Sequence, residues 1–523
     1  VPWRLRALGA FALLAAGAIH AEEPPADDEA WARRVNPAID EGVAWLKARQ
    51  REDGSFPIGK AEQNLPVPLP GMDDPSANWA GGPWDKGADA LAVYTLAACD
   101  VPREDPVLAR GFQRIRAHWD GRRRDSSFTE RGDGISTYFV SLCLLALDAA
   151  CDRTAQPLNP TPEELKARKR APLSPQDRAW AVELVEWLRL AQDPGGAPAD
   201  PPPPEGKKKK PPRKKPPVSP AAPSRADGGG FGYESPILGG GYHDHSNTQF
   251  AALGLKAAAR LGVDVREEVW SRLLRHMLAV QEAEGPEVPR VEVPAAPTPA
   301  ITPGAGDGKT VAPPAKDRAR GWGYMCPNSA GSGGGLPGGV VPGGVVPGGA
   351  LPRSVEEATL SMTAGGVSTL IIARSELLGS RAFTGDIRPL AERGIRDGFA
   401  WIVRHLPSPG AKESAPEDPP LPMGFEIPFG DELDDFYFLY GLERACVLGG
   451  VQRLSGIDWY RLGAERILDR QRPDGSFLGK NQNNANGRPL IDSAFALLFL
   501  KRALFRLPDA APVTTPSGPA TPR

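Results

Sequence analysis

Apolar residues along this chain fall into two kinds of helical run that alternate. Runs of the first kind, at about 38–50, 107–119, 175–192, 265–282, 388–404 and 458–471, set an apolar face beside a charged one, as a helix covered on one side does. Runs of the second kind, at about 87–99, 136–150, 246–262, 359–378, 435–449 and 491–505, are apolar nearly all round and rich in small residues, as in Ala88 to Ala98, Phe139 to Leu147, Phe250 to Ala259 and Ser493 to Leu500. A helix of the second kind has to be buried on most sides. The alternation predicts an all-α chain in which an inner set of helices is screened by a more charged outer set.

A weak repeat supports the pairing. Gly42 to Phe56 runs through Trp45, Leu46 and Gln50 into Asp53-Gly54-Ser55-Phe56, and Ala464 to Phe477 runs through Ile467, Leu468 and Gln471 into Asp474-Gly475-Ser476-Phe477. Both are amphipathic helices that finish in Gln-x-x-Asp-Gly-Ser-Phe. Asp-Gly supplies a turn with a left-handed position, Gln reaches carbonyls left open at a helix end, and Phe packs back on the helix it follows. The element and the helix pairs resemble the repeat of squalene-hopene cyclases and the protein prenyltransferase β-subunit, the terpenoid-cyclase-like family. That resemblance implies a single α6/α6 toroid, six inner and six outer helices around a central cavity, over about residues 30–507. It speaks for fold more than for activity, because one fold hosts unrelated functions.

Composition changes the picture at the inserts. Glycine (59) and proline (58) are far above ordinary usage, and they concentrate at about 195–227, 284–318, 329–353 and 407–420 and in a tail over 508–523. These segments bury too little apolar surface to offset their ordering entropy, so they are expected to be disordered, low-complexity inserts. The basic block Lys207 to Lys210 with Arg213 to Lys215 is read as solvated. A formal net charge of -2 gives no global attraction to nucleic acid. Arg4 and Arg6, the apolar stretch Leu8 to Ile19 and Ala21 together read as a secretory signal over 1–21, so the mature chain is expected to be exported, periplasmic or secreted, with no transmembrane anchor. The cysteines Cys99, Cys143, Cys151, Cys326 and Cys446 follow no metal-ligand spacing, and only a Cys99 to Cys151 bridge is left open.

Candidate chemistry can be tested against what the resemblance implies. Protein prenyl transfer needs Asp, Cys and His in that order for a zinc thiolate, and no His follows Cys446. No cysteine has the Cys-Gly-Glu-Gln context of a thioester domain. Cyclases of the family protonate an alkene with the middle carboxyl of Asp-x-Asp-Asp. Glu432-Leu433-Asp434-Asp435 matches that motif except at its first residue, which makes Asp434 the proton donor with Glu432 and Asp435 beside it. Helix capping is the competing reading of these acids. Aromatic and imidazole side chains gather where inner helices start: Trp84, Tyr242, His243, His245, Trp322, Tyr324, Tyr437 and Tyr440 are the candidate ligand-binding residues. They suit an isoprenoid, a glycan or a protein partner. His243-Asp244-His245 has no evident third ligand, so neither metal nor cofactor is expected. An (α/α)6 carbohydrate-active enzyme with carboxylates drawn from Asp85, Asp244, Asp431 or Asp434 is the remaining alternative.

Overall fold

The computed structural model describes residues 26–57, 83–121, 135–151, 172–195, 228–233, 243–291, 293, 316–324, 340–341, 344–345, 357–406, 432–479 and 489–501. The proposed signal, most of each insert, the tail and Cys326 lie outside the described residues. The chain is mostly helical. Its α-helices are α1 (Ala26–Ala48), α2 (Pro83–Ala98), α3 (Pro106–Asp120), α4 (Thr137–Cys151), α5 (Pro175–Ala191), α6 (His245–Arg260), α7 (Glu267–Val280), α8 (Leu360–Leu377), α9 (Ile387–His405), α10 (Phe436–Gly449), α11 (Trp459–Leu468) and α12 (Pro489–Leu500). Local chemistry sets several of the starts. Asp105 before Pro106 accepts from the Val107 amide at 2.9 Å, Ser174 before Pro175 from the Asp177 amide at 3.0 Å, and Asp458 from the Arg461 amide at 3.0 Å.

Odd- and even-numbered helices divide as the apolar pattern predicts. In α6 every residue from His245 to Ala258 is buried, whereas α3 buries one stripe, Leu108, Gly111, Phe112, Ile115 and Trp119. The even helices also have a closed order of neighbours: α2 packs on α4, α4 on α6, α6 on α8, α8 on α10, α10 on α12, and α12 on α2 again. Odd helices lie against them, α5 on α4 and α6, α7 and α9 on α8, α11 on α10 and α12, and α1 on α12 and α2.

The turn at Gln-x-x-Asp-Gly-Ser-Phe has structural counterparts elsewhere in the chain. Four turns that follow odd helices share one latch. Gln50 Nε2 donates to the Val107 carbonyl at 2.8 Å, Gln192 Nε2 to Val269 at 3.0 Å, Gln281 Nε2 to Gly394 at 3.0 Å, and Gln471 Nε2 to Ala38 at 3.0 Å. Each glutamine thus ties the end of one odd helix to the next: α1 to α3, α5 to α7, α7 to α9, and α11 to α1. An aromatic residue completes each latch. The amide of Phe56 donates to Asp89 at 2.7 Å, of Phe231 to Thr248 at 3.0 Å, of Trp322 to Thr363 at 3.1 Å, and of Phe477 to Ser493 at 2.9 Å. These acceptors lie in the early turns of α2, α6, α8 and α12, and all four aromatics are buried.

Two of the inserts therefore interrupt a latch rather than separate helix pairs. Gln192 and Phe231 belong to one turn, as do Gln281 and Trp322. The second of these inserts is also more ordered at its ends than its composition predicts. Strands β1 (Glu287–Pro289) and β2 (Lys316–Arg318) pair antiparallel. Asp317 holds the ladder down, because its buried carboxylate accepts from the Val291 amide at 2.9 Å and pairs with Arg396 of α9 at 3.1 Å. Two further short strands, β3 (Val340–Val341) and β4 (Gly344–Val345), pair within the third insert.

The cysteine bridge left open by the sequence does not form. Cys99 and Cys151 both remain thiols, and burial pushes the Cys99 pKa up to about 12. Among the described residues no helix is long and apolar enough to cross a membrane.

Candidate binding site

Tyrosines from four places converge where α4, α6 and α10 begin. Tyr138 is the second residue of α4, Ser246 the second of α6 and Tyr437 the second of α10. The Tyr138 hydroxyl donates to Ser246 Oγ, which is also hydrogen-bonded to the Tyr437 hydroxyl. Tyr437 reaches on to Gln249 Oε1 at 3.4 Å. Beside this chain of hydroxyls, Tyr233 and Tyr324 bond through their phenol oxygens at 3.0 Å, and the Tyr233 ring lies 5.7 Å from that of Tyr138. All four tyrosines are half-buried. Burial raises the pKa of Tyr138, Tyr324 and Tyr437, with the neighbouring phenols and Asp244 adding to it. The phenols are neutral hydrogen-bonding groups at physiological pH.

Two latches supply Tyr233 and Tyr324. Both occupy the second place after the latch aromatic, in Phe231-Gly232-Tyr233 and Trp322-Gly323-Tyr324. Thr137 fixes the first of these turns to the start of α4, through its hydroxyl to the Gly232 carbonyl at 2.6 Å and its amide to the Tyr233 carbonyl at 3.2 Å. The second is fixed to α6 by the amide of His245, which donates to the Tyr324 carbonyl at 3.0 Å.

Asp244 is the N-cap of α6. Its carboxylate accepts from the Asn247 amide at 2.7 Å and from Asn247 Nδ2 at 2.7 Å. Burial pushes its pKa up to about 7, against the downward pull of those hydrogen bonds. His243 and His245 flank it and are buried. Burial holds the His245 pKa down at about 4, and its Nδ1 bonds the Gly323 carbonyl. His243 Nδ1 lies 3.6 Å from Asp193 at the end of α5.

The remaining sequence candidates sort themselves by burial. Trp322 is fully buried, with its Nε1 donating to the Met277 carbonyl at 3.0 Å, and is a core side chain rather than a surface for ligand. Tyr440 is also fully buried, stacked on Phe250 at 6.0 Å with the Arg444 guanidinium 4.2 Å from its ring centre. Together with Phe495 these rings fill the space between α6, α10 and α12. Asp434 is buried and ion-paired with Arg470, and Asp435 caps α10 through the Tyr437 amide at 3.0 Å. Tyr242, Asp431 and the side chains of Trp84, Asp85 and Glu432 lie outside the described residues. Among the described residues no group of three or more His, Cys, Asp or Glu is placed to hold a metal ion. Sequence reasoning passed over Tyr138. No family model and no curated protein sequence matches this chain.

Proposed function

We propose that this chain is an exported α6/α6 toroid of the squalene cyclase and prenyltransferase-like repeat kind, and that it works by binding a ligand over the tyrosines at the start of its inner helices. The cyclic order of the even helices and the glutamine latches that link odd helices support the toroid. The convergence of four half-buried tyrosines on one end of α4, α6 and α10 carries the binding reading. Partly exposed phenol rings offer flat apolar faces, and their linked hydroxyls offer hydrogen bonds at the edge of those faces. A short glycan presents both features; a bare isoprenoid chain uses only the first. Native mass spectrometry of the purified protein with a panel of short oligosaccharides, and with farnesol and squalene as the apolar counterparts, tests this. An oligosaccharide complex that Tyr324→Ala and Tyr437→Ala each weaken supports it, and no complex with any probe would remove it.

A second reading is favoured by Asp244. In a terpenoid-cyclase-like enzyme the proton donor must keep its proton near neutral pH, and Asp434 is already committed to an ion pair with Arg470. Asp244, buried and with its pKa pushed up to about 7, has the required property and stands near Tyr324, Tyr437 and Tyr138. Incubation with squalene and linear prenyl substrates at pH 5 to 7 decides this reading: cyclised product that Asp244→Asn abolishes is its expected signature.

A further inference from the structure

Below the tyrosines, three histidines from two elements pack together, and each lies against one of the two Gly-Tyr turns or its base. His243 and His276 have ring centres 6.1 Å apart, and His245 and His276 6.4 Å. His245 bonds the Gly323 carbonyl with its ring and the Tyr324 carbonyl with its amide. His276, on α7, bonds the backbone of Gly228. Gly230 lies so close to the cluster that a Cβ there would fall 2.7 Å from His276 Nε2 and 3.0 Å from His243 Cβ. Both turns that carry site tyrosines are thus held by imidazoles with little access to water.

We propose that His243, His245 and His276 form an acid-sensitive clasp that closes the two Gly-Tyr turns at neutral pH and lets them open on acidification. The titratable groups around the cluster are Asp193 from the end of α5, Asp244 from the start of α6, and the phenols Tyr233 and Tyr324 from the turns. Among the described residues only Asp193 offers His243 a compensating charge, at 3.6 Å, and His243 Nε2 is buried with no hydrogen-bond partner among them. Burial lowers the pKa of all three imidazoles, and His243 and His245 lower that of His276 further. A lowered folded-state pKa means that the clasp is complete above the ordinary value of 6.5 and weakens as pH falls from there towards about 4. Asp244 works the other way, gaining stability as pH falls through about 7, but its carboxylate caps the start of α6 rather than bonding either turn. Opening moves Tyr233 and Tyr324, so an effect on ligand rests on the binding reading above, whereas the clasp itself does not.

Backbone hydrogen exchange of the whole protein between pH 7.5 and 4.5, corrected for intrinsic rates, tests the clasp without any ligand. The reporters are the amides of Gly229, Phe231, Gly321 and Trp322, which are hydrogen-bonded at the base of the turns. The control is the latch at 472–477, which has the same backbone bonds and no histidine. Acidification is expected to lower protection at the reporters by about tenfold or more while the control holds. The combined variant H243Q/H245N/H276Q, in which the side-chain amide introduced at position 245 keeps a donor for Gly323, should remove that dependence. Equal loss at the control, unchanged reporters, or an undiminished pH effect in the variant would each overturn the proposal. If the variant does not fold, ring-proton exchange of the wild-type histidines decides instead. Titration of all three clearly below 6.5 together with reporter opening supports the clasp, and titration at 6.5 rejects it.

Discussion

The latches at the two ends of the chain and the two in its middle use the same bonds for different ends. At 50–56 and 471–477 the turn is continuous, and Asp53 and Asp474 each close it by accepting from the following serine hydroxyl at 2.7 and 2.6 Å. In the middle the turn is split by an insert, yet Gln192 and Gln281 still reach the next odd helix, and the aromatic still bonds the next even one. Beyond the aromatic the two kinds part: Gly-Tyr comes next in the middle, Pro57 and Leu478 at the ends. The latch belongs to the architecture, and the residues just after it are where the middle pair departs from the terminal pair and supplies Tyr233 and Tyr324.

The largest test of that comparison replaces a left-handed glycine in one latch of each kind. Gly229 has φ +103°, and a Cβ would lie 2.4 Å from the Arg272 carbonyl oxygen; at Gly475 φ is +88°, with Glu41 O at 2.7 Å. Gly229→Val and Gly475→Val should each lower unfolding free energy by about 4 kcal/mol, from left-handed strain and backbone clash together. A mild effect at Gly229 alone would mean that the split latch has lost its structural part. Next in size, Gln192→Ala strips hydrogen bonds from the carbonyls of both Gly229 and Val269. It should cost about 3 kcal/mol by chemical denaturation, against about 1 kcal/mol for Gln50→Ala in its less buried setting.

The cap of α6 gives a smaller effect with a definite sign. Asp244 has a folded pKa near 7, above its ordinary 3.8, so its contribution is complete below the lower value and is lost as pH rises through the upper one. An asparagine in its place would keep a capping oxygen without the charge. Asp244→Asn should therefore be more stable than wild type by about 2 kcal/mol at pH 8, and the gap should shrink towards pH 5 in paired thermal melts. Smallest of all, Tyr437→Phe removes one hydroxyl from the chain through Ser246 and leaves the ring. Oligosaccharide affinity should fall about tenfold by calorimetry, with stability changed by about 1 kcal/mol or less.

Much of the helical plan was legible because it rests on short-range pattern. The apolar runs from Phe139 and Phe250 could only be buried helices, and α4 and α6 are those helices. The middle latches were not legible for a geometric reason: a repeat is recognised by constant spacing, and the segment between Gln192 and Phe231 destroys the spacing while leaving the fold of the turn intact. The site was half legible. Tyr324 and Tyr437 stood out as aromatics near helix starts, but Trp322 and Tyr440, chosen on the same ground, are buried. Sequence gives a residue's place along a helix, whereas exposure depends on which neighbours cover it. Acidic residues before α10 raised the same ambiguity, and contact with Arg470 across 36 positions is what removes Asp434 from the list of free acids.

The bond from Gln471 to Ala38 spans 433 positions, and it sets a schedule for biosynthesis. At the usual pace of translation, roughly 5–20 residues per second, the first helix waits tens of seconds before its last neighbours emerge from the ribosome. Until then the side of α1 that packs on α12 has no permanent cover. A chaperone able to shield nascent helices should accordingly raise the yield of this protein, and a rearranged gene that places α11 and α12 ahead of α1 should shorten the wait.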